Sequence, residues 1–124
     1  MKKMIALLLA AMMVLSMAAC ASKTAAAADS DLAYIQDKGT LVIGITDFEP
    51  MDYKDADGSW IGFDADMAKA FAESLGVTAE FVEIDWDNKI LELDSKTIDC
   101  VWNGMTLTAE VTSTMECSNA YCNN

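Results

Sequence analysis

Residues 43–72 constrain this chain more than any others, because within them the hydrophobic period changes from 2 to 3.6. Leu41 to Ile45 is an apolar, β-branched run of strand length. It ends at Thr46-Asp47-Phe48-Glu49-Pro50, where Pro50 has no N–H to give to a ladder. Asp55-Ala56-Asp57-Gly58 is turn chemistry joining two short extended pieces around Met51/Tyr53 and Trp60/Ile61. From Phe63 onward, Phe63, Met67, Ala68, Phe71, Ala72 and Leu75 fall on one helical face, and Asp66, Lys69 and Glu73 on the other. Gly76 stops the helix. A buried strand feeding a helix opens an α/β unit, in which ligands sit beyond the carboxyl ends of the strands. That places Asp47 and Phe48 at a candidate site.

The N-terminal residues read as a secretory signal: Lys2-Lys3, an uncharged run from Met4 to Met17, then Ala18-Ala19-Cys20. An apolar run of about 14 residues is too short to span a bilayer. Met17-Ala18-Ala19-Cys20 resembles a lipobox, with residues 1–19 as signal peptide and Cys20 as the lipid attachment point. The chain is then anchored on the outer face of the cell membrane, not threaded through it. Residues 20–31, rich in Ala, Ser and Thr, read as a flexible tether. Loss of residues 1–19 takes Lys2 and Lys3 and no acid, which moves the net charge from −12 to −14. A surface this acidic repels nucleic acid and anionic headgroups. There is no histidine and no arginine, so the commonest general base and the bidentate carboxylate clamp are both missing.

Beyond residue 32 the expected order is a short helix over Asp31 to Lys38, the strand and helix above, a strand from Thr78 to Ile84, a helix from Asn88 to Asp94 capped by Asp87, and a strand from Ile98 to Trp102. Ile90, Leu91 and Leu93 would be buried by the second of these helices, and Thr108 with Glu110 starts another. Alternation of this kind implies a parallel, right-handed βαβαβ sheet with helices on both faces. The loops after the three strands converge at one edge, bringing Asp47-Phe48-Glu49, Asp85-Trp86-Asp87 and Asn103-Gly104-Met105-Thr106 together. Asp55-x-Asp57-Gly58 reads as a hairpin and not a calcium loop, since Tyr53 and Asp64 would occupy the first and twelfth ligand positions. Asp64 and Asp66 are expected to cap and solvate their helix, Trp102 and Cys100 to pack, and Cys117 with Cys122 to be close enough in sequence for a disulfide. No metal-ligand spacing and no cofactor motif stand out.

Gly39-Thr40-Leu41-Val42-Ile43-Gly44, Pro50, Asp57-Gly58, Gly62-Phe63-Asp64-x-Asp66, Ile98-Asp99, Gly104-Met105-Thr106-Leu107-Thr108 and Ser118-Asn119-x-Tyr121, in that order, resemble the family 3 solute-binding proteins of polar amino-acid ABC importers. The resemblance implies a periplasmic-binding-protein-like type II fold, of which residues 32–124 would form an incomplete first lobe. It also implies that Asp47, Phe48, Trp86, Gly104, Thr106 and Thr108 contact the ligand. Phe48 and Trp86 would flank its side chain, Asp47 would favour a cationic or amide group, and Thr106 would bond the α-carboxylate or α-amine. The implied partners are a small polar solute such as an amino acid and an ABC permease in the membrane. Two positions depart from the pattern. Val111 stands where the family usually has an arginine that clamps the α-carboxylate, a loss of about 1.5–3 kcal/mol per charge-assisted hydrogen bond. Lys96 stands where a glycine is usual, and would sit at positive φ.

The expected function is substrate binding for an importer, without catalysis. The alternatives are a dehydratase-like enzyme on the same fold and a truncated product that binds nothing. Family members are more than twice as long, so this chain is expected to leave a sheet edge uncovered and to bind weakly alone. A midpoint below about 45 °C is expected in a thermal melt. A cooperative melt above that temperature combined with micromolar ligand binding would contradict it.

Overall fold

A computed structural model describes residues 30–123. The segment expected to be a signal peptide, Cys20 and almost all of the expected tether lie outside those residues. Helix α1 (Asp31–Lys38) precedes strand β1 (Thr40–Ile45), a hairpin of β2 (Tyr53–Lys54) and β3 (Trp60–Ile61), and helix α2 (Phe63–Ser74). Strand β4 (Thr78–Glu83), a 3-10 turn (Trp86–Asn88), helix α3 (Lys89–Asp94), strand β5 (Cys100–Val101) and helix α4 (Ala109–Thr114) follow. The sheet is parallel in the order β4-β1-β5, with Thr40 opposite Thr78 and Ile43 opposite Cys100. This is the expected βαβαβ order, with a third strand much shorter than the apolar run Ile98 to Trp102. Ahead of β5, the Asp99 carboxylate takes over the ladder: its Oδ2 accepts from the Val42 N–H at 2.7 Å and from Lys38 Nζ at 2.6 Å.

Strand residues two apart share a face, so Leu41, Ile43 and Ile45 point to one side, where all three are buried. Leu41 and Ile43 meet Ile35 of α1 and Ala68 and Ala72 of α2, while Ile45 meets Trp60 and Ala65. The buried stripe of α2 is therefore Ala65, Ala68 and Ala72, and the larger residues expected there lie at its margins. Phe63 and Phe71 are 51% and 46% exposed. The physical reason is closeness: alanines let α2 approach the sheet, and the rings flank the contact. Phe71 rests against Trp102 with centroids 5.7 Å apart, and Phe63 against Tyr121 at 6.2 Å. On the opposite face, Gly44 looks onto Ile84 and Ile98, both buried.

Some local expectations hold and others need correction. The turn before α3 is capped by Asp85, whose Oδ1 accepts from the Asp87 N–H at 3.0 Å, and not by Asp87. The 3-10 turn intervenes and delays the α-helix to Lys89, which rotates Leu91 into solvent. Cys117 and Cys122 are free thiols. Residues 116–121 form no turn, and without one a five-residue separation does not bring two Cα atoms within bridging distance. Cys100 is half-buried, and burial, then the Asp99 charge, push its thiol up to about 12. Lys96 does adopt positive φ, at 60°. The Asp55 side chain belongs to the hairpin, its Oδ1 accepting from the Asp57 and Ser59 N–H groups at 3.0 and 2.9 Å.

Asp64 neither caps nor faces solvent. It is fully buried, as is Asp52, and its Oδ1 accepts a 2.7 Å hydrogen bond from the Tyr121 hydroxyl. Among the described residues nothing donates to either oxygen of Asp52 or to Asp64 Oδ2. A buried carboxylate lacking donors favours its neutral form, and a neighbouring carboxylate adds to the effect. Burial, then the Asp64 charge, raise Asp52 to about 7.

Two outcomes follow from this packing. Asp52 titrates near 7 in the folded chain and near its ordinary value of 3.8 when unfolded. Its protonated form therefore supports the fold fully below about pH 4, and that support is lost as pH rises through 7. Between pH 5.5 and 8.5 the melting temperature of the chain should fall, and Asp52→Asn should flatten the slope and raise stability at pH 8.5. The second outcome concerns Gly62, which has φ 110° and would place a Cβ 2.4 Å from the Met51 carbonyl oxygen. Gly62→Ala should cost about 3 kcal/mol or more in denaturant unfolding. Gly58→Ala, with similarly positive φ but open space around it, should cost only about 1–2 kcal/mol.

Candidate functional site

Three backbone exits at the carboxyl end of the sheet make the site: from β1 into 46–52, from β4 into 84–88, and from β5 into 102–108. A cavity of about 490 Å³ opens between them, lined by Thr46, Phe48, Trp86, Lys89, Ile90, Asn103, Gly104, Met105, Thr106, Thr108, Glu110 and Val111. This volume lies in the range of small-molecule pockets, and the lining mixes rings, hydroxyls and one charge of each sign.

Each wall has a local cause. In the first loop the Phe48 N–H donates to the Asp52 carbonyl at 2.6 Å, closing a tight turn that holds the half-exposed Phe48 ring over the cavity. That ring lies against Gly104, where a Cβ would come within 2.9 Å of it, so only a glycine admits the ring this close. The third loop is tied to the first by Asn103, whose Nδ2 donates to Thr46 Oγ1 and whose Oδ1 accepts from the Gly104 N–H at 2.7 Å. In the second loop the Asp85-capped 3-10 turn presents the Trp86 ring. Lys89 folds back across it, with Nζ 4.7 Å from the ring centroid and 3.1 Å from the Trp86 carbonyl oxygen it donates to. At the start of α4 the Val111 N–H donates to Thr108 Oγ1 at 3.3 Å, so this short helix is capped by the chain itself.

The residues expected to contact a ligand divide clearly. Phe48, Trp86, Gly104, Thr106 and Thr108 all line the cavity, whereas Asp47 is exposed and outside its lining. The carboxylate present in the wall is Glu110. Val111 is buried in the wall at the position where an arginine was expected. Trp102 is not in the lining; it packs on Phe71. Sequence reasoning passed over Thr46, Lys89, Ile90 and Glu110 as liners. A turn-length calculation would have found Lys89, since a 3-10 turn brings residue i+3 back over residue i, and Trp86 and Lys89 stand in that relation.

Among the described residues no group of three or more His, Cys, Asp or Glu side chains could hold a metal ion, and no helix is long and apolar enough to cross a membrane.

Residues 41–124 match the family described as bacterial extracellular solute-binding proteins, family 3. The arginine-binding extracellular protein ArtP of Bacillus subtilis is 34% identical over 98% of this chain and 45% of its own length. The cyclohexadienyl dehydratase of Pseudomonas aeruginosa is 33% identical over 76% of this chain and 35% of its own. The chain thus spans less than half the length of these relatives. Among solved structures, the arginine-bound form of domain 1 from TmArgBP superposes with a TM-score of 0.61 at 38% identity, covering 64% of each chain. Its parallel sheet with helices is that of a partial first lobe of such proteins. The match covers well over half of the sequence, and on that ground the chain belongs to the bacterial extracellular solute-binding proteins, family 3.

Proposed function

We propose that this chain is the ligand-capturing lobe of an extracellular receptor for a polar amino acid or a similar small solute, which it delivers to an ABC permease. The observation that carries the reading is the cavity of about 490 Å³ bounded by loops from all three parallel strands, with two rings, three threonines and a close-approach glycine in its wall. Phe48 and Trp86 offer apolar faces to a ligand side chain, and the threonines offer hydroxyls to its polar end. The arginine-bound domain 1 of TmArgBP supports the view that a first lobe can retain a ligand without the whole protein. In this proposal residues 1–19 are removed, Cys20 carries the lipid, residues 20–31 form the tether, and the protein is held at the outer face of the cell membrane. The tether is rich in small residues and suits a spacer between an anchor and a folded lobe.

The second reading is an enzyme, and the dehydratase among its relatives is what favours keeping it. Against it stand the absence of histidine from the sequence and the location of the strongly shifted Asp52, which is buried at the end of the first loop and is not in the cavity wall. Asp52 shows a shifted carboxyl in the wrong place for proton transfer to a bound substrate.

Calorimetric titration of the processed chain against the common amino acids tests the proposal. At least one polar amino acid should bind, with a dissociation constant in the micromolar to millimolar range, and Trp86→Ala should weaken it about tenfold or more. Binding of none of them, or turnover of a cyclohexadienyl substrate, would overturn it.

A further inference from the structure

The cavity has two charged liners, Lys89 and Glu110. The other lysines in the described residues are engaged elsewhere. Lys38 pairs with Asp99, Lys54 with Glu83, Lys69 with Asp66, and Lys96 lies over the Tyr34 ring. Lys89 has no carboxylate partner among the described residues, in a chain that carries 20 acidic residues and 8 basic ones. Of its three protons, one goes to the Trp86 carbonyl, and the ring of the same residue supports the ammonium from below. The side chain is thereby held at the cavity wall, half-buried, with donor capacity to spare.

We infer that Lys89 is the residue that pairs with the anionic group of the ligand, replacing in charge, from a different wall, the guanidinium that Val111 does not provide. The inference rests on the amino-acid reading above and deepens it. With Glu110 as the second charged liner, the cavity offers one cation and one anion, the complement of a zwitterion. A Lys–carboxylate contact is a point-charge interaction, less selective in geometry than a bidentate arginine pair. The surrounding acidic surface does not cancel it, because contacts at hydrogen-bond range outweigh charges beyond the screening length of roughly 8 Å. The same geometry has a consequence for selectivity. One face of the Trp86 ring already carries an ammonium 4.7 Å from its centroid. A ligand with a cationic side chain against this ring would bring a second positive charge close to the first, and like charges at this range repel. The chain should therefore favour amino acids with neutral or acidic side chains over arginine, although its relatives include an arginine-binding protein.

The experiment compares the processed chain with Lys89→Met, which keeps the apolar stem, and Lys89→Arg, which keeps the charge. The probes are L-glutamine, L-glutamate, L-arginine and L-glutaminamide, which lacks the α-carboxylate. Wild type should bind glutamine or glutamate more tightly than arginine. Lys89→Met should weaken glutamine about tenfold to a hundredfold, Lys89→Arg should stay within about threefold of wild type, and glutaminamide should bind wild type and Lys89→Met alike. Adding Val111→Arg to Lys89→Met should restore glutamine binding, which also shows that the variant folds. Unchanged glutamine affinity in Lys89→Met would overturn the role of Lys89 while leaving the amino-acid reading intact, and so would an equal loss of glutaminamide. If wild type and Val111→Arg both bind no amino acid, the two readings fall together.

Discussion

Strand β1 is bonded along both edges, and that double pairing is what the rest of the structure depends on. Its two faces are used differently. Leu41, Ile43 and Ile45 meet the helices, and Gly44 leaves room for Ile84 and Ile98. Because β4 and β5 run parallel to it, all three strands release their chains at the same end. The cavity is a direct result of that polarity: three loops with unrelated sequences are brought face to face by the sheet's direction.

Charge is handled in two ways. The Asp99 side chain is 4% exposed but well used, its Oδ2 stitching β1 to the start of β5 and pairing with Lys38, so its desolvation is offset by strong hydrogen bonds. Asp52 and Asp64 are buried with far fewer donors, and the Tyr121 hydroxyl serves only one of their four oxygens. Their strain is placed where the first loop, the start of α2 and the C-terminal segment meet. The one hydrogen bond from Tyr121 ties that last segment back to the lobe. Neither of these carboxylates lines the cavity, which has its own separate pair of charges, so Asp52, which tunes stability with pH, is not a group that would meet a ligand.

Much of this was legible in the sequence. The change of period at Phe63 located the first strand and helix, because burial on one face leaves a repeat that matches the geometry of the element. The loops bearing Phe48, Trp86 and Gly104 could be placed together from strand order alone, since parallel strands leave no choice about where their carboxyl ends lie. Periodicity could not show which side of α2 is pressed hardest. Phe63 and Phe71 count as apolar in any pattern, yet the sheet selects Ala65, Ala68 and Ala72, because interaxial closeness and not side-chain size sets the contact.

The sequence by itself determined the fold class, the succession of strands and helices along the chain and the loops that border the cavity, all consequences of local period and chain direction. Only the tertiary structure decided which charges enter that cavity. Asp47 is next to Phe48 in sequence but points away from the site, since successive residues in an extended loop face opposite sides. Lys89 and Glu110 enter from helices that begin after their loops, and Asp64 leaves the solvent for a buried contact with a tyrosine 57 residues away. Contacts of that sequence separation depend on how whole elements pack, which no local pattern encodes.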